Sequence, residues 1–291
     1  MRIETEFAMN AVILVNMLPR GEAGASRRLA DDLSVLSQQS PSFLFRYEEI
    51  VDDAGLRKLL LDLRRECRRG LRPIIHFDGH GDSKRGMQIG RSSNFFSWAE
   101  LAKKLRKINM ASGNNLCVVM GVCSGLDLIR PISILKPVPF YTLIAPRREV
   151  STGYLDERVS PFYRALLGSR TLDEALQLFL PELAYFHAEK MFLIVMARHI
   201  AEHCVGKGVR IRRERLLSEV IENGIANNPR NRRLLRKSLK QQIRPSQVLI
   251  DHFSNKFLLG RQCNVSIEMI LNELGLPSDA AQENPDRQDR R

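Results

Sequence analysis

The sequence predicts an α/β fold, with a parallel sheet flanked by helices and an all-helical, basic C-terminal extension. Three observations lead to this prediction. Over about the first 170 residues, short apolar runs of strand length alternate with segments of helical periodicity, as in a parallel sheet covered on both faces. From Thr171 onward the periodicity is helical, with no strand-like alternation. Between positions 206 and 244, twelve Lys or Arg residues stand against three Glu residues, so +9 of the chain's net charge of +12 lies in the extension.

The first half of the predicted sheet domain has the order β-α-β-α-β. An uninterrupted apolar run from Asn10 to Leu18, rich in β-branched residues, is typical of a strand buried on both faces. A helix over Ala25 to Gln38 and a second strand over Ser42 to Glu48 follow. A helix from Asp53 to Arg69 then leads to an apolar strand from Pro73 to Phe77.

The second half continues the same alternation. The next connection contains a short hairpin at positions 86–90 and a helix from Ser97 to Ile108, with Glu100 three residues after a Ser cap. Apolar runs over Leu116 to Val122 and Pro139 to Ala145 predict two further strands, and a helix over Glu157 to Leu167 closes the domain.

We therefore divide the chain into a sheet domain (1–170), a helical basic module (171–276) and a polar tail (277–291) without apolar periodicity, which predicts disorder. The helices predicted in the module are Thr171 to Leu178, Glu182 to Cys204, Ile211 to Asn223, Asn231 to Gln242, Pro245 to Leu259 and Ser266 to Leu274.

Composition excludes several classes of protein. No apolar run approaches the roughly 18 residues of a membrane span, and the opening residues are too acidic for a signal peptide. We therefore expect a cytoplasmic protein with no membrane partner. The five cysteines are an odd number without a Cys-x-x-Cys pair, which predicts neither a disulfide framework nor a zinc ribbon.

His80 and Cys123 are the candidate catalytic residues. Each follows an apolar strand and is flanked by small residues, His80 by two glycines and Cys123 by Ser124-Gly125. The carboxyl ends of parallel strands share one edge of a sheet, where α/β folds hold their chemistry. A thiol becomes a strong nucleophile only as a thiolate, and a nearby imidazole can take its proton. The pair is therefore a candidate catalytic dyad.

Three neighbouring polar residues have more than one interpretation. His76 falls inside the strand, which favours a hydrogen-bonded core residue. Asp78 and Asp82 lie two residues on either side of His80. At those positions a carboxylate either orients the imidazole or caps a turn.

These residues resemble the caspase-like cysteine peptidases, which include caspases, metacaspases, gingipains, separases and bacterial CHAT-type proteases. The family pattern is an apolar strand ending in His-Gly, then an apolar strand ending in Cys and small residues, with the histidine roughly 50 positions upstream. His80-Gly81 and Cys123-Ser124-Gly125 match both halves, 43 positions apart. Gly121-Val122 stands where true caspases have Gln-Ala. The resemblance covers about residues 10–170 and points to the wider clan.

The resemblance implies a cysteine endopeptidase that cleaves a partner protein and requires no metal or organic cofactor. In this mechanism His80 takes the proton of Cys123, and the backbone N–H groups of Gly81 and Cys123 form the oxyanion hole. Bacterial relatives act in stress or anti-phage defence, which suggests a similar role by analogy.

The resemblance also implies that the turn over Pro146 to Thr152 lines the pocket for the residue preceding the cut bond. The charged candidates for that pocket differ in sign, so the preferred residue stays open. Arginines would favour an acidic substrate residue, whereas carboxylates would favour a basic one. The candidates are Asp78, Asp127, Arg147, Arg148 and Glu149.

Three alternatives remain at this point. Gly121 to Gly125 also fits the nucleophile elbow of α/β-hydrolases with Cys in place of Ser, although that fold has its histidine downstream of the nucleophile. His199 and His203 have the spacing of zinc ligands on a helix. A catalytically silent adaptor is the third, with the basic module binding nucleic acid or an acidic partner or forming a solvated face.

Overall fold

The computed structural model describes residues 8–39, 43–90, 94–168, 171–263 and 265–276. The chain forms two compact units. The first contains the residues up to Ala188 together with Phe257–Arg261, and the second contains Glu189–Lys256 and the residues from Gln262 onward. The strands, all in the first unit, are β1 Ala11–Asn16, β2 Leu44–Glu49, β3 Pro73–Gly79, β4 Gly81–Asp82, β5 Gly86–Gln88, β6 Phe95–Phe96, β7 Cys117–Val122, β8 Thr142–Ala145 and β9 Ala184–His187.

The main sheet has six strands in the order β2-β1-β3-β7-β8-β9. All neighbouring pairs are parallel except β8 and β9, which are antiparallel. β4, β5 and β6 form a small antiparallel sheet beyond the end of β3. The strand order reverses between β1 and β3, because the chain leaves β1 in one direction to form β2 and returns to its other side to form β3. Such a reversal is where open α/β sheets form their functional crevice.

Three α-helices of the first unit begin at side-chain caps. The side chains of Asp52, Ser97 and Thr171 each accept a hydrogen bond from the backbone N–H three residues further on, which satisfies one free donor of each helix. The helices are α1 Gly24–Gln38, α2 Asp53–Cys67, α3 Trp98–Ala111, α4 Thr152–Gly168 and α5 Leu172–Phe179, with a 3₁₀ helix over Gly125–Ile129.

The core lies between the sheet and these helices. Helices α1, α4 and α5 bury an apolar cluster against one face of the sheet, with Leu33 and Phe162 fully buried against Val12 and Val119. Strand residues of the opposite parity, such as Ile75, are also fully buried, and α2 packs against α3. The sheet is therefore covered by helices, as the alternation of strands and helices predicts.

The prediction of a single helix from Glu182 to Cys204 is wrong at its start. Ala184–His187 forms β9, which pairs with β8 at the edge of the sheet. Tyr185 and Phe186 are aromatic residues that favour strands, and the ring of Phe186 packs edge-on against Phe140, with centroids 5.3 Å apart. The first unit consequently extends to Ala188, beyond the boundary at position 170 that helical periodicity suggested.

The described residues of the second unit are helical. The helices are α6 Ala188–His203, α7 Gly206–Glu222, α8 Pro229–Gln242, α9 Gln247–Phe257 and α10 Ile267–Glu273. The first residue of α6 and the last residue of α9 belong to the first unit. Helices α7 and α8 pack through a small apolar cluster that includes Val209, Leu217 and Leu239. Within the described ranges, no helix has the length and apolar character needed to cross a membrane. The predicted tail (277–291) lies outside the described residues.

Candidate active site

The register of β3 and β7 brings the two candidate catalytic residues to the same point of the sheet edge. The strands are adjacent and parallel, and their last pair is Gly79 with Val122. Extending the register by one residue pairs His80 with Cys123. Neighbouring strands lie about 4.8 Å apart, and paired residues of parallel strands point to the same face. The prediction that these two strands are adjacent and parallel is confirmed.

The segments that follow β3 and β7 stay in close contact beyond the strand ends. A Cβ atom added at Gly81 would lie 2.1 Å from the carbonyl oxygen of Cys123 and 2.6 Å from Cγ1 of Val122. No side chain fits in that space. Glycine is therefore required at position 81 because the backbone there packs directly against the backbone of Cys123.

The N–H group of Gly81 points away from the small sheet. The N–H of Gln88 donates to the carbonyl oxygen of His80 over 2.9 Å, and Gly81 pairs with Met87 in the antiparallel ladder of β4 and β5. In such a ladder, successive residues direct their backbone polar groups alternately toward and away from the partner strand. The Gly81 N–H is thus directed away from β5.

His80 has a partner that the sequence did not suggest. Its Nε2 lies 2.7 Å from Oε2 of Glu22, and about half of each side chain is exposed, 49% for His80 and 54% for Glu22. Glu22 belongs to the loop that follows β1, so the contact bridges the point where the strand order reverses. Only the position of Glu22 in the sequence could have indicated this contact. It is a carboxylate just beyond the carboxyl end of β1, the strand next to β3.

Cys123 is half-buried and begins a tight turn. Its Sγ lies 4.0 Å from the carbonyl oxygen of Val150. The N–H of Ser124 donates to the carbonyl of Arg148 over 3.0 Å, and Ser124 adopts a left-handed conformation with φ of 57°. His80 and Cys123, both within the described part of the chain, do not form a hydrogen bond with each other; the hydrogen bonds of their side chains go to Glu22 and Val150.

The other four cysteines are poor nucleophiles. Burial raises the pKa of Cys67 and of Cys117 to about 12 and that of Cys263 to about 11. Burial also raises the pKa of Cys204, although Arg212 beside it acts in the opposite direction. Because the thiolate is the reactive form, these four thiols are largely inert at neutral pH.

His76 is a core residue, in agreement with its position inside the strand. It is 1% exposed, with Nε2 3.1 Å from Oδ1 of Asp78 and Nδ1 2.9 Å from the hydroxyl of Tyr163. The carboxylate of Asp78 also accepts a hydrogen bond from the hydroxyl of Ser26. A Cβ atom at Gly121 would lie 2.2 Å from Oδ1 of Asp78, so a larger residue there would displace this carboxylate.

Neither aspartate near His80 in sequence contacts its ring. Asp78 binds His76 and Ser26. Asp82 caps a turn by accepting the backbone N–H groups of Lys84 and Arg85, and these bonds lower the pKa of the Asp82 carboxyl. Between the two interpretations of Asp82, the structure therefore selects the turn cap.

The candidate pocket residues lie in three places. Arg147, Arg148 and Glu149 are exposed on the loop whose backbone adjoins Cys123. Asp127 forms an ion pair with Arg130 over 3.0 Å. Asp78 lines a small cavity between α1 and α4, away from the loop of Arg147 to Glu149. The charged candidates thus do not form one pocket, and no substrate preference follows from them.

The alternative sites lack essential features. His187 lies in β9, not in a helix, and pairs with Thr142 at the start of β8. His187 therefore lies at the amino ends of the parallel strands, whereas Cys123 follows a carboxyl end, so His187 cannot act as the base of a nucleophile elbow at Cys123. In the second unit, Arg212 donates to Nε2 of His199 over 3.1 Å, which places a cation where zinc would bind. Among the described residues, no group of three or more His, Cys, Asp or Glu side chains is arranged to hold a metal.

Comparisons with known proteins add no family assignment. The sequence matches no protein-family model and no curated protein.

Proposed function

We propose that this chain is a caspase-like cysteine endopeptidase with Cys123 as nucleophile and His80 as general base. The observation that carries the proposal is the β3–β7 register, which ends where Gly79 pairs with Val122, the residues directly before His80 and Cys123. The order of strands and the buried parallel sheet agree with the resemblance to this family. Catalysis would begin when His80 accepts the thiol proton and the thiolate attacks a peptide carbonyl, forming an acyl-enzyme that water then hydrolyses.

Two further features support this chemistry. Cys123 follows the strand that lies next to the strand of His80, and burial raises the pKa of the other four cysteines. The Gly81 N–H points away from β5, as a donor for the oxyanion of the tetrahedral intermediate must. Loss of one such donor typically slows catalysis by about 10²–10³.

The test compares the full-length protein with C123A, H80A and the double variant, using self-processing and cleavage of candidate partner proteins as readouts. Each single substitution should abolish cleavage while leaving the melting temperature unchanged within about 2 °C, since both side chains lie at the sheet edge outside the core. The two losses should not add, because both residues serve one step. Full activity of C123A would refute the peptidase mechanism.

A second candidate function concerns the basic surface of α8. Arg230, Arg233 and Lys237 recur at helical spacing on one face and are exposed, while Leu235 and Leu239 on the other face pack toward α7. These three cations form no ion pair within the described structure, whereas Arg236 is held by Glu214 over 2.7 Å. We propose that this basic face of α8 binds nucleic acid through its phosphates.

The test measures binding of fluorescent duplex DNA and RNA over a range of salt concentrations. Neutralised phosphates release counterions, so the affinity should fall steeply with salt. Reversing Arg230, Arg233 and Lys237 to Glu should weaken binding and flatten this dependence, whereas reversing the exposed Lys103 and Lys107 of α3 should not. Retention of an acidic protein, with no binding to either nucleic acid, would replace nucleic acid by an acidic partner. Binding to neither would leave a solvated face.

A further inference from the structure

Glu22 is the side chain that holds the ring of His80. Its Oε2 lies 2.7 Å from Nε2 of the imidazole, across 58 positions of sequence. We propose that Glu22 is a positioning residue, which fixes His80 in the tautomer and orientation needed to deprotonate Cys123. This inference rests on the proposed peptidase function and assigns a third member to its site.

The contact determines which ring nitrogen is basic. An ionised carboxylate only accepts hydrogen bonds, so Nε2 of His80 must carry the proton. The lone pair of the neutral imidazole is then on Nδ1. No group in the described part of the chain forms a hydrogen bond with that atom. Nδ1 is also the ring nitrogen nearer the backbone, and the strand on one side of β3 leads directly into Cys123.

The loop that carries Glu22 is anchored to the strands of the site. The N–H of Met17 donates to the carbonyl of Asp78 over 2.8 Å, and the N–H of Gly90 donates to the carbonyl of Met17 over 3.0 Å. A turn closes between Pro19 and Glu22, whose N–H donates over 2.8 Å. The backbone that leads to Glu22 is thus tied to the end of β3 by hydrogen bonds independent of the side-chain contact with His80.

The charge of Glu22 also matches the reaction. When the thiol transfers its proton to Nδ1, the imidazole becomes a cation, and a carboxylate on Nε2 stabilises it. Glu22 lies one residue before the N-cap of α1, whose first turn contains no other acidic residue, and the positive end of a helix favours a negative charge at that point. Exposure to water weakens the pair, so we expect an effect of about tenfold rather than several thousandfold.

The test is the rate at which iodoacetamide alkylates Cys123 in the full-length protein, followed by mass spectrometry from pH 5 to pH 9. E22A should slow alkylation about tenfold at pH 7 and change the pH profile, because less of the thiol is ionised when the imidazolium loses its partner. E22D should restore part of the rate. E22A combined with H80A should be no slower than H80A alone, since Glu22 acts only through His80. The matched control is E157Q, which removes an exposed carboxylate of α4 and should leave the rate unchanged.

The outcomes separate this inference from the proposed function. If H80A slows alkylation and E22A does not, the dyad survives and the role of Glu22 is refuted. If E22A accelerates alkylation, Glu22 restrains the histidine away from the thiol, which also overturns the inference. If H80A itself has no effect on alkylation, the peptidase proposal fails first, and Glu22 has no catalytic partner to position.

Discussion

Substitution of Gly81 by Ala tests how closely the backbone that follows β3 packs against Cys123. The new methyl group would lie 2.1 Å from the carbonyl oxygen of Cys123 and 2.6 Å from Cγ1 of Val122. Ordinary contacts are more than 3.4 Å, so the backbone at Cys123 must move by about 1 Å. Overpacking of this kind costs about 1–3 kcal/mol. For a unit of this size, 2 kcal/mol lowers the melting temperature by about 4–8 °C.

The assay is thermal unfolding followed by circular dichroism, with G153A as the matched control. Nothing lies within 4 Å of a Cβ atom added at Gly153, and Ala replaces Gly inside helix α4. G153A should therefore melt at or slightly above the parent temperature, since Ala favours a helix by about 0.5–1 kcal/mol. A melting temperature of G81A within about 1 °C of the parent protein would refute the close approach of Gly81 to Cys123.

Three further predictions follow from the core and the cysteines. Tyr163→Phe removes the hydroxyl that is hydrogen-bonded to Nδ1 of buried His76. This substitution should lower the free energy of unfolding by about 1–3 kcal/mol, measured by urea unfolding. The control is Tyr154→Phe, which removes a hydroxyl with only a 3.4 Å contact and should cost under about 0.5 kcal/mol; equal costs would contradict this reasoning. At pH 8, iodoacetamide should label Cys123 before the other cysteines. Cys263, with a pKa of about 11, is ionised at that pH to only about one part in a thousand, and its labelling should rise as the pH approaches 11. Equal labelling of both cysteines at early times would count against the proposal. A chain that ends after Leu167 loses α5 and β9, together with the buried side chains of Leu172 and Leu176. We expect this fragment to sediment as insoluble protein or to be inactive in a cleavage assay. A soluble, active fragment would show that α5 and β9 are not needed to complete the core.

The sequence predicted the central strands β1, β3 and β7 because they are buried on both faces. Residues 11–15 and 117–122 form runs without a polar side chain, a pattern that does not depend on tertiary contacts. β9 escaped prediction for the opposite reason. It has four residues, runs directly into the apolar helix α6, and is defined by its pairing with β8. The paired residues are 39 to 45 positions apart in the sequence, so the pairing leaves no local periodicity that could predict it.

The site was predictable to the extent that it depends on strand ends. His80 and Cys123 follow apolar strands and glycines, so their shared edge follows from the topology of a parallel sheet. The partner of His80 was not predictable from neighbouring carboxylates. Asp78 lies on the strand and is satisfied by His76 and Ser26, and Asp82 is used by its own turn. The contact of Glu22 instead depends on β1 lying next to β3, which only the strand order reveals.

The same strand order explains why three separate segments meet at this edge. β1, β3 and β7 are consecutive in the sheet, and Glu22, His80 and Cys123 come after their respective carboxyl ends. The central residue, His80, is therefore the one that can reach both neighbours, with a carboxylate on one side and a thiol on the other. Earlier in the same strand, the polar side chains of His76 and Asp78 are satisfied by hydrogen bonds, between each other and from His76 to Tyr163. In the proposed mechanism, the strand order places His80, which takes the thiol proton, beside the carboxylate of Glu22, which stabilises the resulting imidazolium without accepting a proton.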